Sequence, residues 1–182
     1  MSEPFRDKLG QLKKFYLPIS KMIKEEYYKK KKTKVIGLAG AQGTGKSTIS
    51  NILKIILKEA YKLETVVFSI DDFYKTFNER KILSKKISRL FLKRGVPGTH
   101  DTEMLYNSLK NLKNDKFKKI MIPKFDKSID DRSSRNRWLK VKKKPNIVIF
   151  EGWCVGVTSQ KKKDLIKPIN KLEKQEDFKK IW

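Results

Sequence analysis

The sequence predicts an α/β fold in three layers, a parallel sheet held between helices, and three observations carry that expectation. The first is a glycine-rich stretch, Gly40-Ala41-Gln42-Gly43-Thr44-Gly45-Lys46-Ser47, set between an apolar run and an amphipathic one. The second is the apolar run itself, Val35-Ile36-Gly37-Leu38-Ala39, which has no polar residue, as suits a strand covered on both faces. The third is a pair of further β-rich runs, 65–70 and 146–150, each with helical patterning between it and the strand before it.

The elements follow in chain order. Residues 1–32 form a Lys-rich helical lead-in. Leu9, Leu12, Phe15 and Tyr16 recur at helical spacing, Pro18 is expected to break the run, and Ser20 to cap a second helix carrying Met22, Ile23 and Tyr27. Residues 29–32 are a solvated connector. After the first strand, Ile49, Ile52, Leu53, Ile56, Leu57 and Ala60 share one helix face suited to a sheet. The second strand, 65–70, closes a strand–helix–strand unit. Two apolar stripes come next, Ile82, Leu83, Ile87, Leu90 and Phe91, then Met104, Leu105, Leu109 and Leu112. Between them Gly95 ends one helix and Asp101 caps the next. A short strand is expected at 120–122 and the third core strand at 146–150, while the tail from Thr158 is polar and basic.

The glycine-rich stretch fits the P-loop NTPase fold. Its glycines let backbone amides turn inward around a polyphosphate, and the following helix adds a partial positive charge from its N-terminus. Gly40, Ala41, Gln42, Gly43, Thr44, Gly45, Lys46, Ser47 and Thr48 are the expected contacts of a nucleotide triphosphate. Lys46 supplies a full charge to the outer phosphates, and the Ser47 hydroxyl is placed to hold Mg²⁺.

Length and composition allow one domain with a real core: 182 residues, 38% hydrophobic, 36% charged. No apolar run is long enough to span a bilayer, so no membrane partner is expected. The first residues read neither as a secretory signal nor as a transit peptide, and the single cysteine, Cys154, excludes an internal disulfide. A cytoplasmic location follows as the expectation. The formal charge of +25 would ordinarily suggest a polyanion partner. The excess is mostly Lys, spread over nearly every segment, with no recognition pattern, so specific nucleic-acid binding is not expected.

Two strand ends carry acids. Asp71, after the second strand, is the candidate base for a substrate hydroxyl, and Asp72 beside it caps the next segment or meets substrate. Glu151, after the third strand, stands where a carboxylate holds Mg²⁺ directly or through water. Three core strands are fewer than such a sheet normally holds. The strand at 35–39 is therefore expected to expose an apolar edge, as in the N-terminal part of a longer enzyme whose C-terminal strands are missing, or in a chain whose partner covers that edge.

Together the strings at 40–48, 69–74 (Ser-Ile-Asp-Asp-Phe-Tyr), 94–101 (Arg-Gly-Val-Pro-Gly-Thr-His-Asp), 123–128 (Pro-Lys-Phe-Asp-Lys-Ser) with Asp131-Arg132, and 151–153 (Glu-Gly-Trp) resemble plant-type D-glycerate 3-kinase and its fungal kinase-like relatives, within the phosphoribulokinase, uridine kinase and pantothenate kinase class. The resemblance runs from about residue 33 onward, making 1–32 an N-terminal extension and 33–182 the N-terminal part of a kinase domain. It implies ATP, Mg²⁺ and transfer of the γ-phosphoryl group to a hydroxyl of a small acceptor such as D-glycerate, with Lys46 and Asp71 catalytic. A carboxylate acceptor needs a cationic clamp, for which Arg94, Lys124, Arg132 and Arg135 are the candidates. Asp72, Tyr74 and His100 complete the candidate acceptor contacts, His100 having a structural alternative beside the helix cap; Trp153 walls the acceptor pocket or packs. The competing expectations are a non-enzymatic nucleotide- or polyanion-binding protein and an inactive remnant of such a kinase.

Overall fold

A computed structural model describes residues 7–177 and 180. A three-stranded parallel sheet lies at the centre, formed by β1 (Lys34–Ala39), β2 (Thr65–Ser69) and β7 (Ile147–Gly152), in the order β1-β7-β2. The last strand thus inserts between the first two, and Leu38, Glu151 and Ser69 stand in one row across the sheet. Two small antiparallel pairs lie outside it: β3 (Ile120–Ile122) with β6 (Leu139–Val141), and β4 (Phe125–Asp126) with β5 (Asp131–Arg132).

Strand alternation sends side chains to two apolar layers. On one face Ile147 and Ile149 pack with Leu53 and Leu57 of α3 (Lys46–Tyr61) and Ile23 of α2 (Leu17–Lys30). On the other, Val66, Phe68 and Val148 pack with Leu112 of α5 (Thr102–Lys113) and with Ile122 and Val141 of the β3–β6 pair. The middle strand is the buried one, with Ile147, Val148 and Ile149 fully enclosed. Its neighbour β1 has no strand on its far side among the described residues, and Gly37 and Ala39 are exposed there. The bare edge expected from the strand count is present.

The lead-in departs from expectation. Pro18 does not break it, and Ser20 caps nothing: α1 (Lys8–Gln11) runs through a π-turn at Leu12–Tyr16 directly into α2, with Pro18 in the first turn of α2 and Ser20 buried within it. A π-turn shifts the hydrogen-bond register, and proline in a first turn sacrifices no amide the helix needs. The segment is tied to the sheet layer, because Asn146 Nδ2 donates to the Tyr27 hydroxyl at 2.6 Å.

The stripe expected from 82 to 91 is also revised. Helix α4 (Phe77–Lys86), opened by a Thr76–Glu79 capping box, ends before Ile87, and a 3₁₀ turn at Arg89–Leu92 follows. Ile82 and Ile87 stay exposed, and the residue α4 buries is Arg80. The Asp101 cap of α5 forms as expected, accepting from the Met104 amide at 3.0 Å. A short helix α6 (Lys171–Glu176) stands in the tail. Residues 1–6 of the lead-in and 178–179 and 181–182 of the expected kinase segment lie outside the described residues.

Candidate functional site

A cavity of ≈ 650 Å³ opens at the C-terminal ends of the three central strands, where an open parallel sheet places its ligands. The loop after β1 forms one wall. Gly43 and Gly45 take φ of +77° and +81°, a region L-residues avoid, and a Cβ at either would meet nothing within 4 Å. These glycines serve backbone shape and leave the space above the loop open. Gly45 begins α3 with no side-chain cap, so amides of the first turn face the cavity region without a protein acceptor of that kind. Lys46 Nζ donates to the Ala41 carbonyl at 2.7 Å, a contact that an anion would outcompete.

The floor is β7. Glu151, 7% exposed, accepts a hydrogen bond from Ser47 Oγ at 3.0 Å. A hydroxyl and a carboxylate beside a nest of amides suit Mg²⁺, which keeps few protein ligands and takes the rest from phosphate and water. The next residue, Gly152, is fixed by crowding: a Cβ would stand 2.4 Å from Ile70 Cγ2. Its carbonyl accepts from the Gly40 amide at 3.3 Å, tying the loop to the middle strand.

The opposite wall begins where β2 ends. Ser69 and Asp72 form a capping box around the 3₁₀ turn Ile70–Phe73. Asp72 is almost fully enclosed and accepts from the Ser69 amide (3.1 Å) and the Phe125 amide (3.3 Å), with Lys124 Nζ at 3.0 Å. It therefore knits the strand end to the 123–126 segment. Asp71 lines the same cavity; its Oδ2 accepts from Lys127 Nζ at 2.7 Å, and its Oδ1 is buried without a hydrogen-bond partner. With Lys127 62% exposed, the pair contributes about 0–1 kcal/mol.

Tyr74 lines the same wall. Burial, and then the Asp71 carboxylate, push its hydroxyl up to about 12, so it is a neutral donor at physiological pH. Its ring stacks on His100 with centroids 4.2 Å apart, and burial holds the His100 imidazole below its ordinary range. Arg132 stands behind them, donating to the Tyr74 carbonyl (2.9 Å) and to Asp101 (3.0 Å).

The cationic side is organised by Asp130. Arg80, with no exposed surface, donates to the carbonyls of Lys75 (3.2 Å), Leu92 (2.7 Å) and Asp130 (2.5 Å), and to the Asp130 carboxylate (2.9 Å). Arg94 pairs with the other Asp130 oxygen and lies over the Phe125 ring. Partial burial opposes ionisation of Asp130, yet the two guanidiniums prevail and hold its carboxyl below the usual range.

Of the residues expected from sequence, the cavity brings together Gln42, Gly43, Gly45, Lys46, Ser47, Thr48, Asp71, Asp72, Tyr74, Arg94, Lys124 and Glu151. Gly40, Ala41 and Thr44 shape the loop from behind, and His100, Arg132 and Arg135 do not line the cavity. Trp153 forms part of its wall. Sequence reasoning missed Lys127 and Phe125, although both sit inside the 123–128 string. Their signal was proximity to Asp71 and Asp72, which only folding reveals.

Comparison with known proteins gives the family and supports the fold. The chain is 40% identical over 130 residues to a kinase of Schizosaccharomyces pombe, "Uncharacterized kinase mug58", covering 67% of this chain and 46% of that protein. It is 32% identical over 130 residues to chloroplastic D-glycerate 3-kinase of Arabidopsis thaliana, covering 67% of this chain and 28% of that one. The chain thus spans less than half the length of these relatives. Its fold superposes on a solved D-glycerate 3-kinase from Cryptococcus neoformans var. grubii with a TM-score of 0.73 at 28% identity, over 82% of this chain and 56% of the other. A model of the phosphoribulokinase / uridine kinase family matches residues 35–170, the span that holds the loop, both strand-end acids and the cationic wall, and the chain belongs to that family.

Proposed function

We propose that this chain carries the phosphoryl-transfer site of an ATP-dependent kinase whose acceptor is a hydroxyl of a small anionic molecule of the D-glycerate type. One observation carries the reading: a phosphate-shaped loop with its lysine, a Ser–Glu pair fit for Mg²⁺, and a carboxylate with an unpartnered oxygen share one cavity. The carboxylate is asked for little, since positioning and charge neutralisation dominate phosphoryl transfer.

The division of labour follows from the walls. Amides of the Gly43–Gly45 stretch and Lys46 hold the phosphates, while Ser47 and Glu151 hold Mg²⁺, which supplies charge neutralisation when bound. Asp71 orients the acceptor hydroxyl and takes its proton as that oxygen bonds to the γ-phosphorus; the bond to the β–γ bridging oxygen breaks and its electron pair leaves on ADP. Arg94, Lys124 and Tyr74 face the acceptor, and Arg132 and His100 support Tyr74 from behind. The cytoplasm is the proposed compartment.

The test is phosphorylation of D-glycerate by the full-length protein, followed by ³¹P NMR. Phosphoglycerate should appear only with Mg²⁺ and ATP, and Lys46→Ala should lower kcat/KM by about a thousandfold. MgATP binding without turnover of D-glycerate would refute the acceptor assignment.

A further inference from the structure

We propose that Lys127 is the specificity-determining cation for the acceptor, and that it exchanges Asp71 for the acceptor's carboxylate when substrate enters. The inference rests on the kinase reading above and assigns a residue that reading leaves unused.

Three cations line the acceptor side of the cavity close to Phe125, and their partners differ. Arg94 is committed to Asp130, which also receives the buried Arg80, so its position belongs to the scaffold. Lys124 neutralises Asp72, a buried carboxylate already fixed by two backbone amides. Removing Lys124 from Asp72 would strand a charge that has little access to water.

Lys127 is different. Among the described residues its partner is Asp71, the carboxylate assigned to accept the hydroxyl proton, and the ammonium is mostly solvent-exposed. An exposed lysine on a flexible stem pairs weakly and re-pairs readily. A substrate carboxylate arriving beside Asp71 offers an equal charge, so exchange of partners conserves the ion pair and releases Asp71 Oδ2. A neutral acceptor offers no such exchange and meets an Asp71 whose Oδ2 is still paired. Discrimination between acid and amide would therefore reside in both binding and turnover.

The test uses the full-length protein with D-glycerate and its neutral analogue D-glyceramide. Calorimetric titration with Mg²⁺ and a non-hydrolysable ATP analogue measures binding; a coupled ADP assay measures turnover. Lys127→Ala should raise the Kd for D-glycerate by about thirtyfold, with Lys127→Arg restoring it to within about fivefold. The same Ala change should raise kcat for D-glyceramide, because Asp71 is no longer covered; a merely structural lysine would lower turnover of both compounds together. Equal losses for acid and amide, or no loss for the acid, overturn the clamp. Loss of acid binding without a gain in amide turnover overturns the exchange. Lys127-dependent binding of D-glycerate with no turnover would uphold the clamp and refute the kinase reading alone.

Discussion

Ser47 Oγ and Glu151 Oε1 are 3.0 Å apart although 104 residues separate them. The contact exists because β7 inserts beside β1, bringing the last strand's acid under the first turn of α3. A carboxylate so enclosed, with a hydroxyl donor and an adjacent ring of amides, is matched to a hard cation.

Glu151→Gln keeps the shape and the hydrogen bond but removes the charge. The Mg²⁺ concentration that half-saturates MgATP binding should rise about tenfold, whereas ATP affinity in EDTA should hardly move. Calorimetry in both conditions checks this; equal weakening with and without Mg²⁺ would assign Glu151 to loop support instead.

Arg80→Met should destabilise the fold rather than the chemistry. Three backbone carbonyls lose a donor that is itself fully buried, and the Asp130 carboxylate keeps Arg94 alone, costing roughly 3 kcal/mol. A fall in Tm of about 6–12 °C is expected by differential scanning calorimetry. Chemical denaturation showing less than about 1 kcal/mol would mean the carbonyls find water after all.

His100 is the only histidine, so its imidazole can be followed alone by NMR. Burial lowers its pKa in the folded protein from the usual 6.5. As pH falls below that value the unfolded chain gains a proton the folded chain refuses, and stability drops until the folded pKa is passed. The His100 Cε1 signal should titrate with a midpoint below 6.5, and His100→Gln should flatten the pH dependence of stability over that window. A midpoint at or above the usual value would show that the ring finds a proton partner in solution.

The parts of the site legible in the sequence are those written locally. The loop around Lys46 announces itself through glycine spacing, and Asp71 and Glu151 through their position at the ends of apolar runs. The cap at Asp72 is local and could be expected from the sequence, but its enclosure could not, because it needs the Phe125 amide from 53 residues away. Arg80 hid for a related reason. In a chain with 45 basic residues, burial of one guanidinium depends on the Asp130 carboxylate and on the carbonyls of Lys75, Leu92 and Asp130. The same limit explains Ile82 and Ile87, whose helical spacing implied a buried face that the sheet never covers. Pro18 misled through local chemistry, since the π-turn before it removes the conflict that breaks helices.

The order β1-β7-β2 also acts as a gauge. The phosphate loop leaves from one outer strand and the Asp71 turn from the other, so the gap between donor and acceptor walls is set by two interstrand steps, about 9–10 Å. Loop substitutions can change what lines that gap but not its width. On the proposed kinase reading, the donor's phosphates and the acceptor's reacting oxygen have to meet within that span.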